Sequence, residues 1–583
     1  MRIAAHPTSP GWQKLVGVVL GLGLIAACAP SEAARPPTAE NASQAQPAPE
    51  RTAAPKVITV AMNRDPTGFG PHQATDTNLT PLFVATLIKY KVWDNNFEPW
   101  VAAELPSLER GTWKVLPDGR MEAIWPLRRD VKWHDGAPFT AHDLVFGWQV
   151  VLDPQFASLE AAIPQRMESV TAKDDYTLVI VWKDLFPQAN LLVRGGITPL
   201  PRHHLEADFQ RDPATFASHP YFSSAYIGNG PYRVTSFEAG SGIRFDAFPE
   251  YFLGRPRIDT IIYRVIPDQN TALAQILANE VDVTMRSAIG LTPSLTARER
   301  WEASGQGSVY HVKTGWSNVN LSWRNPWFED IRVKRGMLHA IDRQEIVQQV
   351  LFGLTSAPDT MVRPSDPIFA EVDRRVMKYP FDPNRARALL SEAGWRPGTD
   401  GILMNGRGER LSIEARAEAG DRQTEAVQAA VLDYWRALGV ESHVNNMSRR
   451  AMDQPDNRGS WPGACFCGAA GGSLEPNDPL YTDWHSRFIP TPENGWVGDN
   501  QEGWRGGDAI LDQWTRELDL AKREQLRTQL ALRWAEDLPS LPLYFSVEVT
   551  TVRKGIVNAP PRLGSGGANA MTWNVQEWDL VRQ

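Results

Sequence analysis

The chain has 583 residues, with 60 basic and 68 acidic side chains and a formal net charge of −8. That acidic balance argues against nucleic acid, whose phosphates reward basic patches. Hydrophobic residues make up 42%, ordinary for a globular protein, and the length exceeds what one hydrophobic core organises, so two or three lobes are expected.

Before residue 28 the charged side chains are Arg2 and Lys14, and Leu15 to Ala27 is apolar and small. That run falls short of the roughly 20 apolar residues a membrane-spanning helix needs. A charged start, a short apolar core and small closing residues predict an export signal over 1–27. It closes as Leu24-Ile25-Ala26-Ala27-Cys28, which resembles the lipobox of bacterial lipoproteins. The resemblance implies cleavage before Cys28 and a diacylglycerol thioether on its sulfur, hence a membrane anchor through lipid. Loss of Arg2 and Lys14 takes the net charge to about −10. From Ala29 to Pro55 there is no aromatic residue, and Pro30, Pro36, Pro37, Pro47, Pro49 and Pro55 forbid a continuous helix. Residues 28–55 are therefore expected to be a disordered tether.

Lys56 to Met62 reads as an opening strand. His134-Asp135-Gly136 reads as a turn, and Thr140 with Asp143 matches a capping box before Leu144, Val145 and Trp148 at helical spacing. His203 and His204 are read as strand neighbours pointing to opposite faces at the surface, which disfavours a metal site. Ile261 to Ile266 is another strand. Helices are predicted over Ile331–Ala340 and Arg343–Phe352, with Asp330 and Asp342 as caps, and from Asp382-Pro383 to Gly394. Three more are predicted over Asp421–Leu438, Asp508–Leu518 and Ala521–Asp537. Strands and helices interleave without a short repeat, which predicts an α/β fold and excludes solenoids and propellers.

The three cysteines are Cys28, Cys465 and Cys467. With only Phe466 between them, Cys465 and Cys467 are expected to be two buried small side chains, a disulfide across so short a ring being strained; a labile redox pair or ligand-facing thiols are the alternatives. No His or Cys pair stands near enough to complete a zinc site, so no metal is expected. No Walker A, Gly-x-Ser-x-Gly or His-Glu-x-x-His motif is present, and neither an enzyme nor a cofactor is indicated. The 22 tryptophans are numerous for this length and supply both core and flat walls for a ligand.

Leu127 to Phe146, containing Trp133-His134-Asp135-Gly136-Ala137-Pro138-Phe139-Thr140, resembles the signature of the family 5 extracellular solute-binding proteins. Further similar motifs follow in the family's order: Gly228-Asn229-Gly230-Pro231-Tyr232, Tyr251 to Pro256, Asp330 to Lys334 with Ala340 to Arg343, Phe381-Asp382-Pro383 through Trp395, and Leu538 to Leu543. The resemblance implies a bilobed periplasmic-binding-protein-like fold of type II (class C) with an extra inserted small domain. Its expected layout is 56–77, 223–284 and 544–583 for lobe I, 78–222 for the insertion and 285–543 for lobe II. It also implies capture of a peptide or other small solute outside the cytoplasm by a monomer, and delivery to the permease and ATPase subunits of an ABC importer.

In peptide-binding relatives an acid in the segment corresponding to Trp461–Pro479 pairs with the peptide's amino terminus. Here Cys465-Phe466-Cys467 occupies that segment and the acid is Asp478, which opens the ligand class to an oligosaccharide, a nickel complex or haem. Trp461, Phe466 and Tyr481 are the candidate wall residues, with Asp478 beside them. Asp65, Phe69 and His72 are expected in a loop reaching the cleft, and Trp316, Asn318 and Asn320 on an inter-lobe strand. Two functional alternatives are a secreted glycan hydrolase, which needs a carboxylate pair in a groove, and a lipid-tethered chaperone or adhesin on the same scaffold.

Overall fold

In the computed structural model the described residues run from 54 to 581, leaving out 65, 67, 73–77, 92–95, 157–162, 193–195, 286, 453, 455–456, 458, 460, 468, 471–482, 495, 497 and 560–569. The signal, Cys28 and the tether lie outside them. The chain divides into Met1–Ala54 and Pro55–Gln583, and the folded body is the second unit.

The opening strand β1, Val57–Met62, alternates side chains into two cores, as a sheet buried on both faces requires. An antiparallel sheet follows, made of β2 (Trp113–Val115), β3 (Met121–Pro126), β4 (Met167–Asp174) and β5 (Thr177–Trp182), in the order β2-β3-β5-β4. Helix α1, Ala141–Leu152, packs on it and begins with the expected capping box between Thr140 and Asp143. The core of this insertion includes Trp125, Trp133, Leu144 and Trp182 and draws chiefly on residues 85–197. Its flanks behave differently. Leu82, Phe83 and the segment around Phe216 to Tyr226 pack into the core beneath β1.

His203 and His204 lie on helix α2, Arg202–Arg211, rather than on a strand. Leu205 and Phe209, four residues apart, give that helix its apolar side. His203 is paired with Asp135 at the surface, Nε2 to Oδ2 at 2.7 Å.

The chain then adds β6 (Tyr232–Glu238), β7 (Gly242–Ala247), β8 (Thr260–Val265) and β9 (Val283–Thr284), followed by the long strand β10, Gly307–Leu321. Helices α3 (Ile331–His339), α4 (Arg343–Gln349) and α5 (Pro383–Glu392) are capped by Asp330, Asp342 and Asp382 as expected. Next come β11 (Ser412–Ala417), α6 (Arg422–Ala437), β12 (Glu441–Val444), β13 (Ala464–Phe466) and β14 (Ala469–Ala470). Helix α7, Asp508–Trp514, ends one turn before the expected Leu518, and α8, Leu520–Asp537, leads into the second long strand, β15, Ser540–Arg553.

One 11-stranded sheet runs through the body in the order β12-β11-β13-β10-β15-β9-β1-β8-β7-β6, with β14 also on β10. β10 and β15 are antiparallel partners along nearly their whole length and belong to both halves. Their register slips twice midway along the pair, between Lys313 and Trp316, a bulge at Thr314–Gly315, and again between Ser317 and Asn318.

Candidate functional site

The direction of the strands locates a crevice. β1, β8 and β9 are parallel. Moving forward from Val283 to Thr284 moves backward along β15 from Val552, toward its middle. In the other half β11 and β13 are parallel, and moving forward along β13 moves back along β10 from Leu321 toward Trp316. The carboxyl ends of both parallel sets therefore converge on the middle of β10 and β15. In open α/β sheets ligands bind at such ends. Asp268, just past β8, accepts from Thr271 N–H, which holds its carboxyl below the usual range. Arg422 at the start of α6 adds to this from the opposite half.

A polar row crosses the second half's sheet. Ile413, Ala415 and Ala417 of β11, Ala464 and Phe466 of β13, Val319 and Leu321 of β10, and Leu541 and Leu543 of β15 all enter one core. Strand alternation sends Arg416, Cys465, Asn320 and Ser540 to the other face. They are successive register partners across β11, β13, β10 and β15. At one end Arg416 Nε donates to Cys465 Sγ at 3.3 Å and its guanidinium lies 4.3 Å from the Trp461 ring centroid. At the other end Ser540 Oγ donates to Glu502 Oε1 at 3.4 Å. Burial, with a contribution from Asp483, pushes the Glu502 carboxyl up to about 7. Between them Asn318 Nδ2 donates to Asn320 Oδ1, while Asn318 Oδ1 is buried and accepts no bond among the described residues.

Of the residues expected at a site, Asn318, Asn320 and Trp461 belong to this row or border it. Trp316 shares their strand but packs against Trp534 and Trp484 in a separate core. Phe466 points the opposite way, into the core beside Trp435, because it alternates with Cys465 on a strand. Phe69 packs within 5.3 Å of Phe83, Tyr226 and Phe237, and His72 stands between the rings of Phe156 and Phe222. Both are core contacts, since Phe83, Phe156 and Phe222 belong to the core beneath β1. Asp65, Asp478 and Tyr481 lie outside the described residues. Cys465 and Cys467 are joined as a disulfide, which corrects the expectation of two separate side chains; positions i and i+2 of a strand share a face. Arg416, Ser540 and Glu502 were not anticipated. The signal for Arg416 was present, since apolar residues at 413, 415 and 417 leave it facing away from the core.

Among the described residues no group of three His, Cys, Asp or Glu is placed to hold a metal ion, and no helix is long and apolar enough to cross a membrane.

Comparison with known proteins places this geometry. Residues 96–489 match the family model described as bacterial extracellular solute-binding proteins, family 5 Middle. The chain is similar to the oligopeptide-binding protein AppA of Bacillus subtilis (strain 168), 26% identical over 442 residues, 73% of this chain and 76% of that protein. The solved structure of AppA in complex with a nonapeptide superposes with a TM-score of 0.72 at 22% identity, covering 91% of this chain and 100% of that one. NikZ from Campylobacter jejuni in complex with Ni(L-His) gives a TM-score of 0.72 at 19% identity, covering 90% and 99%. At these identities the structural likeness speaks for a bilobed α/β fold.

Proposed function

The chain belongs to the bacterial extracellular solute-binding proteins of family 5, substrate-binding components of ABC importers, and from that membership we propose that it captures a peptide between its halves and delivers it to a permease. It is a binding protein and not an enzyme. The observation that carries the reading is the family match over residues 96–489, on a sheet whose two parallel strand sets end at one crevice.

The proposed mechanism is closure. The two halves are joined through β10 and β15, and the register slips at Thr314–Gly315 and between Ser317 and Asn318 are places where these strands can bend. A solute touching both strand sets favours the closed population, which the permease recognises. The polar row suits a peptide: Asn318 and Asn320 offer amide groups for its backbone. Glu502, with no cation paired to it among the described residues, is the complement of its ammonium group. The expected domain layout, with lobe I discontinuous around the insertion, is part of this proposal, as is action as a monomer.

The test is to identify by mass spectrometry the solutes released from the purified protein, then to titrate them back. Peptides are expected, and a peptide at 100 times its Kd is expected to add about 2.7 kcal/mol to the unfolding free energy. Recovery of sugars or metal chelates alone, with no peptide changing the unfolding curve, overturns the peptide reading.

Lipid anchoring through Cys28 is the second part of the proposal, supported by the apolar run that ends there. Cys28→Ser is expected to move the protein from the membrane pellet to the soluble fraction and to remove the mass of a diacylglyceryl group. An unchanged pellet fraction overturns it.

A further inference from the structure

We infer that Arg416 anchors an anionic group of the bound solute, a carboxylate or similar planar oxyanion, and that the Cys465–Cys467 disulfide holds the guanidinium in position. The inference rests on the solute-binding reading above.

Arg416 is 2% exposed. A guanidinium removed from water costs several kcal/mol unless a counter-charge or a full set of acceptors replaces its hydration. Two other buried arginines of this protein meet that cost with a carboxylate. Arg343 pairs with Asp359 at 2.7 Å and Arg527 with Asp366 at 2.5 Å. Arg523 donates to the carbonyls of Trp514 and Glu517 at the end of α7, where the helix dipole is negative, and keeps a buried Nη2 without a partner among the described residues. Arg416 has no carboxylate partner among the described residues. Its acceptors are the Cys465 sulfur and the Asn457 carbonyl, and its other terminal nitrogen donates to nothing among the described residues. The closest acid along its strand, Glu414, is bound by Asn445 Nδ2 at 3.1 Å and forms no ion pair with it. Burial lowers the Arg416 pKa to about 10, so the group stays cationic at neutral pH. A planar cation stacked on Trp461 with an unused N–H edge matches how arginine receives a carboxylate.

The disulfide explains the aim. Two residues of extended strand span about 6.6 Å, whereas Cys465 and Cys467 have Cα atoms 5.1 Å apart. The strand is thus drawn in at this point, and its pairing records it. From Asn320↔Cys465 to Ser317↔Ala469, three steps on β10 meet four on the partner, one extra residue. Such bulges re-aim a side chain. Here the bridge fixes the Cys465 sulfur against Arg416 Nε and spares the other edge.

The experiment is calorimetric titration of the full-length protein with acids and their neutral counterparts: trialanine and trialanine amide, glucuronate and glucose, benzoate and benzamide. At least one acid is expected to bind about tenfold or more tighter than its counterpart. Arg416→Gln is expected to bring that ratio within about twofold, and Arg416→Lys to keep part of it. Dithiothreitol, which passes two electrons and two protons to the bridge and closes to its own cyclic disulfide, is expected to lower the ratio in the wild type alone. Equal binding of acid and amide by the wild type, a ratio unchanged in Arg416→Gln, or no acid bound at all overturns the anchor. Should Arg416→Gln fail to fold, the wild-type and Arg416→Lys ratios decide. The two readings fail separately. Trialanine and its amide binding equally, with neither glucuronate nor benzoate preferred to its counterpart, leaves the peptide reading and removes the anchor; glucuronate binding tighter than glucose without any peptide binding does the reverse.

Discussion

His134→Ala is expected to lower the unfolding free energy by about 3–4 kcal/mol at pH 7.5. The imidazole ties the insertion to the loop before β6. Its Nδ1 accepts from Gly228 N–H at 3.1 Å and its Nε2 donates to the Gly230 carbonyl at 3.0 Å. The main-chain His134 N–H adds a bond to the Gly228 carbonyl at 2.8 Å. Both glycines are irreplaceable by size. A Cβ at Gly228 would stand 1.9 Å from the Phe83 carbonyl oxygen, and one at Gly230 would stand 2.5 Å from the Phe83 carbonyl carbon. Alanine at 134 leaves a buried N–H and a buried C=O without partners, each costing roughly 1–3 kcal/mol, and a cavity beside Phe248. The effect is pH-dependent with a definite sign. Burial first, then the Arg233 charge, holds the imidazole pKa down to about 4 against an ordinary 6.5, although its bond to Gly230 opposes this. A lowered histidine pKa means the unfolded chain takes up the proton first. The contribution is therefore full above about pH 6.5 and is lost as the pH falls toward 4, by about 3 kcal/mol in all. Urea unfolding at pH 7.5 and 4.5 should show the wild-type advantage shrinking at the lower pH. An advantage equal at both removes the neutral, two-bond imidazole from the account.

Asp366→Asn should cost about 3–5 kcal/mol, because it strands Arg527 in the core of α7 and α8. Both groups are buried, with Arg527 Nη2 donating to Asp366 Oδ2 at 2.5 Å. Asp366 also accepts from Ile368 N–H at 3.1 Å, which fixes the turn before the Phe369–Arg375 helix. Glu524 reaches the same guanidinium from a more exposed position and compensates only in part. The apolar pair Asp366→Leu with Arg527→Met should recover most of the loss, since desolvating two charges roughly cancels their attraction. A double-mutant cycle in denaturant checks this; additive losses would show that the two residues act independently.

Much of the fold was legible because its signals are local. Asp382-Pro383 with Ala386, Leu389 and Leu390 specified a helix, its cap and its buried face within a dozen residues, and the structure has them. Thr140 and Asp143 did the same for α1. The misreadings came where local signals are thin. A His-His pair carries no period, and only Leu205 and Phe209 show that His203 and His204 lie on a helix. Phe466 was expected to face a ligand because it is aromatic, but parity along β13 assigns it to the core and its neighbour Cys465 to the other face.

By itself the sequence determined the charged and apolar start, the proline-rich stretch to Pro55, the α/β alternation and the family to which the chain belongs, since composition, periodicity and ordered motifs are properties of contiguous residues. The polar row required the fold. Alternation says that Asn320, Arg416, Cys465 and Ser540 each face away from an apolar core, but not that they share one face. Their adjacency follows from register across four strands distant in the chain, where a slip of one residue would turn every side chain over. The extra residue between Cys465 and Ala469, and the absence of an acid paired with Arg416 among the described residues, depend on that register too, and only the tertiary structure decided them.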